Sequence, residues 1–140
     1  MTVTDAIREQ VMARARRRCE YCQMPSLYIY APMEIDHIHP LFLGGNDDES
    51  NLCLACPRCN GFKGSQIVGK DATGLEVSLF NPRLDSWSEH FGWAEDKAEI
   101  VALTSCGSAT IAALQMNIEA AVDFRKTMAA IGAYPPTNVS

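Results

Sequence analysis

No stretch of the 140-residue sequence approaches the roughly 18 consecutive apolar residues that a membrane-spanning helix requires. An apolar segment near the start is also missing. Asp5, Arg8 and Glu9 stand where a secretory signal would have its hydrophobic stretch, so a soluble cytoplasmic protein without membrane partners is expected. Repeats, low-complexity tracts and linkers are absent too, so the two halves of the chain are expected to pack on one another. Basic charge is scarce: 12 Lys+Arg stand against 17 Asp+Glu, a net charge of −5 that argues mildly against a nucleic-acid partner. What is present is ordinary for a folded chain. Hydrophobic residues at 47% and charged residues at 21% exclude a mainly disordered or fibrous protein, and the length suits one domain.

The charge is unevenly spread. Residues 1–70 are neutral, and the acidic excess lies wholly in residues 71–140. Within the neutral half, Arg14, Arg16, Arg17 and Arg18 form a local basic stripe, which matters more for phosphate contact than the molecular total.

Residues 2–18 read as a helix capped by Thr2 or Thr4, with Ile7, Val11, Met12 and Ala15 on one face and the arginines in its last turn. A compact turn, Cys19–Cys22, and a loop over 23–30 come next. Met33–His37 and Asn51–Ala55 read as short strands, separated by a long polar loop marked by Pro40 and Gly44-Gly45. Pro57 suits the first position of a helix running to about Phe62 or a turn beyond. In the second half, Gly74–Phe80 and Ala98–Leu103 are strand candidates, and Ser108–Ile131 reads as one long helix with a broad apolar face. That helix covers the hairpin, or pairs with a second copy in a homodimer.

Six cysteines without an export signal point to metal or catalysis before disulfides. Cys19-x-x-Cys22 and Cys56-x-x-Cys59 are two knuckles able to surround one Zn²⁺ with four thiolates, a closed structural set. Such an ion can add folding free energy of order 10 kcal/mol. Cys53-x-x-Cys56 is an overlapping frame that the sequence leaves open; Cys53 and Cys106 are otherwise small core residues.

Between and after the knuckles come Asp36-His37, Pro40-x-x-x-Gly44-Gly45, Asn51-Leu52 and Cys56-x-x-Cys59-Asn60-x-x-Lys63. This ordered pattern, spanning Cys19 to Gly64, resembles the HNH endonuclease family in its four-cysteine form. The resemblance implies an α+β protein with a ββα-metal core at 19–64, an N-terminal helix at 1–18 and an extension at 65–140. It implies His37 as general base, Asp36 and Asn60 as ligands of a catalytic divalent ion such as Mg²⁺, and Asn51 as the residue holding loop and imidazole. Asn60 stands where the last His of the family name would be.

The residue types suit that chemistry on their own terms. Histidine accepts a proton near neutral pH, while a carboxylate and an amide oxygen are hard ligands for Mg²⁺. In a regular strand Asp36 and His37 face opposite sides, so both serve one site only where the strand ends. His39 is the rival base or a substrate contact. Lys63, Arg58 and Arg16–Arg18 are the candidate DNA contacts.

Farther on, Leu79–Arg83, Trp87, Glu89-His90-Phe91-x-Trp93 and 110–117 look similar to the segment after the core in small bacterial HNH proteins, although Ser108 stands where that group has arginine. Trp87, Phe91 and Trp93 are core or a base-stacking platform. The expected activity is hydrolysis of DNA phosphodiester bonds, and the resemblance implies products with 5′-phosphate and 3′-hydroxyl ends. The alternative is a non-catalytic zinc-dependent DNA-binding or adaptor module on the same fold.

Overall fold

Helix α1 spans Asp5–Arg14 in the computed structural model, which describes residues 3–140. Thr4 caps it by accepting the Ile7 N–H, and Thr2, the other candidate cap, lies outside the described residues. The helix stops four residues short of the expected Arg18. Arg16 and Arg17 have φ of 56° and 54°, a left-handed conformation that cannot continue a helix. Only Arg14 therefore sits in the last turn.

The central unit is a hairpin and a helix. Strand β1 (Glu34–His37) pairs antiparallel with β2 (Leu52–Ala55), Asp36 opposite Cys53 and His37 opposite Leu52. Every residue of β2 is buried, because α1 and helix α2 (Pro57–Lys63) both pack against it. Cys56 caps α2 with its sulfur, and Pro57 takes the first helical position. The 14-residue connection between the strands is folded by its two glycines. Gly44 ends a short turn at φ 94°, and a Cβ on Gly45 would lie 1.9 Å from the His39 carbonyl oxygen, so no side chain fits there.

The extension supplies two more antiparallel pairs: β3 (Val68–Lys70) with β4 (Glu76–Ser78), and β5 (Phe91–Trp93) with β6 (Ile100–Ala102). The short helix α3 (Trp87–His90) leads into β5. Strands β3 and β5 have three residues each and no alternation long enough to announce them.

The expected single helix over 108–131 is two: α4 (Ser105–Ala113), packed on β3, β4 and β6, and α5 (Glu119–Ala130). The break has a cause. Gln115 is left-handed at φ 49°, Leu114 and Met116 are fully buried, and Asn117 pairs with β6 as a strand would. It accepts from Ile100 N at 3.0 Å and donates to Ile100 O at 2.6 Å. Buried Arg125 then ties the junction together, donating to Ala98 O, Met116 O and Asn117 Oδ1. A continuous long helix for pairing two copies is therefore not part of the fold.

The extension joins the first half through aromatics. Trp87 Nε1 donates to Tyr21 O at 2.7 Å, and Tyr134 OH donates to Cys22 O at 2.7 Å. Trp87 and Phe91 are buried, with ring centroids 5.0 Å apart, and Trp93 lies 4.6 Å from Trp87. These rings are core, not a stacking platform.

Candidate active site and metal centre

Cys19, Cys22, Cys56 and Cys59 are all buried, and their sulfurs lie within 4.8 Å of one another. Cys22 N and Cys59 N each point at the first sulfur of their own knuckle, at 3.4 Å. Hydrogen bonds from Cys19, Cys22 and Cys59 hold the Cys56 thiol far below its ordinary range, whereas burial pushes Cys19 well above. Four buried sulfurs this close together fit a soft cation, and four such ligands fit tetrahedral Zn²⁺. The overlapping frame is resolved as well: Cys53 faces Tyr21 and Asp36, its sulfur 3.5 and 3.6 Å from their oxygens. Asp85, His90 and Cys106 form a looser, half-buried group within the same 4.8 Å limit, but His90 Nδ1 is engaged with Thr104 Oγ1 at 2.6 Å.

The hairpin and α2 build the second site as two parallel rungs. Glu34 and Asp36, two apart on β1, share a face; Asn60 and Lys63, three apart on α2, share a side. Asn60 Nδ2 donates to Glu34 Oε1 at 2.8 Å, and the Lys63 ammonium lies 3.1 Å from Asp36 Oδ2. Tyr21 OH donates to the same Asp36 oxygen at 2.7 Å. Asp36 is 4% exposed and Lys63 1%, and Lys63 also donates to His37 O and Ile38 O. Lys63 is thus no surface cation. Four oxygens close around its ammonium, and it drops out of the candidate DNA contacts.

His37, the last residue of β1, is half-buried, and its Nε2 lies 2.8 Å from Asp47 Oδ1. Asn51 binds the loop beside it from both ends: its Oδ1 accepts from His39 N at 2.8 Å, and its Nδ2 donates to His39 O and Asn46 O. His39 Nε2 lies 2.8 Å from Leu43 O, engaged inside that loop. Asp36, His37 and Asn60 line one open cleft of about 400 Å³ with Pro40, Phe42 and Gly64. Asp36 and His37 belong to a regular strand and both line this cleft, the Asp36 carboxylate turned toward Tyr21, Cys53 and Lys63.

The remaining basic candidates are dispersed. Arg58 lies over the Phe62 ring and donates to Gln115 O. Arg17 pairs with Glu9, Arg18 donates to Thr137 O and Asn138 O, and Arg16 and Arg18 line a different pocket from the cleft. Three partners of the site escape a reading by motif: Asp47, Glu34 and Tyr21. Glu34 had a usable signal, since strand alternation puts it on the side of Asp36. Asp47 had none, because it is one of three successive acids in a loop.

Compared with known families, residues 19–66 match the model of the HNH endonuclease family. No curated protein and no solved structure matches the chain. The four clustered cysteines fit the zinc-bearing form of that family.

Proposed function

We propose that this chain, whose residues 19–66 form an HNH domain, is an endonuclease that hydrolyses DNA phosphodiester bonds with His37 as general base and one divalent ion as electrophile. HNH domains are generally those of nucleases. The observation that supports the finer assignment is the His37–Asp47 pair at a cleft that Asp36 and Asn60 also line.

Each side chain has a definable task. The Asp47 carboxylate accepts the Nε2 proton of a neutral imidazole, which leaves the Nδ1 lone pair to take a proton from water. Asn51 holds the loop on which Asp47 rides, so the pair is positioned rather than merely adjacent. The donors that would hold a hard ion such as Mg²⁺ are the Asp36 carboxylate and Asn60 Oδ1, with Glu34 beside them. Asn60 fits that role, because it commits its nitrogen to Glu34 and keeps its oxygen unpledged; Asp36 would have to exchange the Lys63 ammonium for the ion. When bound, such an ion supplies Lewis-acid polarisation of the phosphoryl oxygens.

One observation favours a second reading. With Asp36 neutralised by Lys63, the domain would be a non-catalytic zinc-dependent DNA-binding or adaptor module. Supercoiled plasmid separates the two readings. Nicking in Mg²⁺ that EDTA suppresses, and that falls at least about 100-fold in His37→Ala with zinc content unchanged, is the expected result. Equal nicking by wild type and His37→Ala overturns the assignment of the base, and no nicking by either leaves the module.

A further inference from the structure

Away from the cleft, the end of α1, the first knuckle and the segment after β4 enclose a pocket of about 210 Å³ lined by Arg14, Arg16, Arg18 and Arg83. It shares no residue with the cleft of Asp36, His37 and Asn60. We infer that this pocket is a binding site for a single phosphate group, held by the guanidinium groups of Arg14, Arg16, Arg18 and Arg83.

Four arginines line the pocket together with Glu20, Asp85 and the chain end at Ser140, and Glu20 is committed to Arg83 while Asp85 keeps one oxygen unpartnered. Glu20 spends one oxygen on Arg83 and the other on Leu54 N at 2.8 Å; Asp85 spends Oδ2 on Asn81 N at 2.9 Å. Among the described residues, no carboxylate lies within 4.0 Å of a side-chain nitrogen of Arg14, Arg16 or Arg18. Backbone carbonyls fix two of these groups instead. Arg14 donates to Glu49 O at 3.0 Å and Leu52 O at 2.6 Å, and Arg18 to Thr137 O at 2.7 Å and Asn138 O at 3.2 Å. These two forks are therefore held by backbone oxygens and not by a close ion pair.

Two further features agree. Arg18 Nε and Arg83 Nε are buried and unpartnered, two donors that an oxyanion in the pocket would satisfy. Burial, then the nearness of Arg83, lowers the Arg14 guanidinium from its ordinary value, and burial and Arg16 do the same to Arg18. Like charge is the second cause in each case, and at Arg14 the nearby Glu20 and Glu49 act in the opposite direction. Size narrows the ligand, because the pocket is below the roughly 300 Å³ at which sites for drug-sized molecules begin. A compact oxyanion gripped by several guanidinium forks suits it, and arginine is the side chain whose planar fork matches phosphate oxygens. Such a phosphate comes from a nucleic-acid backbone or from a free phosphate; only the first source rests on the nuclease reading.

The test uses inorganic phosphate as probe and the full zinc-loaded chain. Phosphate is expected to raise the melting midpoint saturably, against chloride at equal ionic strength, because a ligand of the folded state stabilises it. Arg16→Asn removes a charge and keeps a residue that tolerates the left-handed backbone, so the phosphate-free midpoint holds. It should weaken phosphate about tenfold, the equivalent of one lost charge-assisted contact, and Arg18→Gln should do the same. Displacement of a short DNA duplex by phosphate in wild type assigns the backbone as source. Phosphate binding without displacement assigns a free phosphate, and neither result depends on cleavage. No saturable effect of phosphate, or equal affinity in both variants and wild type, overturns the inference.

Discussion

At the scale of single residues, the candidate site is a set of committed hydrogen bonds, and the least redundant of them is the one between His37 and Asp47. Among the described residues the ring has one side-chain partner, and that partner sits in a loop held by a single asparagine. Asp47→Asn keeps the size and removes the charge and the fixed acceptor, so the imidazole loses its enforced tautomer. Cleavage should fall about 10- to 1,000-fold in kcat with KM unchanged, and Asp47→Glu should recover part of the loss. A change confined to KM would make Asp47 a substrate contact instead. Asp36, His37, Asn51 and Asn60 were legible as a motif because their types and spacing recur together. Their partners were not legible. A carboxylate that orients a histidine need only be near in space, and Asp48 and Glu49 offer the same chemistry one and two residues later.

At the scale of elements, the hairpin and α2 came from local rules: alternation in β1, proline at the head of α2, glycines in the loop. The Gly44-Gly45 pair is explained by sterics at two different points, a left-handed turn and a backbone oxygen against the second glycine. What local rules missed was the division of the last helix. An apolar face at helical spacing continues through residues 114–118, but burial of Leu114 and Met116 and the Asn117–Ile100 pairing override it. Arg125 is the long-range element that makes this break stable, bringing its donors to three acceptors from two segments. Arg125→Met keeps most of the volume and abandons those buried acceptors, so it should destabilise the chain by about 2–4 kcal/mol in urea unfolding. A loss below about 1 kcal/mol would show that the junction closes without it.

At the scale of the molecule, the sulfur cluster is where separate parts meet. Cys19 and Cys22 come after α1, Cys56 and Cys59 open α2, and the carbonyls of Tyr21 and Cys22 receive Trp87 and Tyr134 from the extension. The knuckles were legible from spacing alone, but their tie to the aromatic core was not, because backbone carbonyls carry no sequence signature. With zinc in the cluster, the tie would make the ion a condition for the whole chain rather than for residues 19–66. Chelation should therefore remove far-UV helical signal and shift Trp87 and Trp93 fluorescence in one transition, and added zinc should restore both. Cys53→Ala should retain the wild-type zinc content, since that sulfur faces Tyr21 and Asp36, whereas Cys56→Ser should lose the metal and unfold. If the tryptophans keep native emission after the zinc has gone, the extension folds around its own aromatic cluster and the metal braces the hairpin alone.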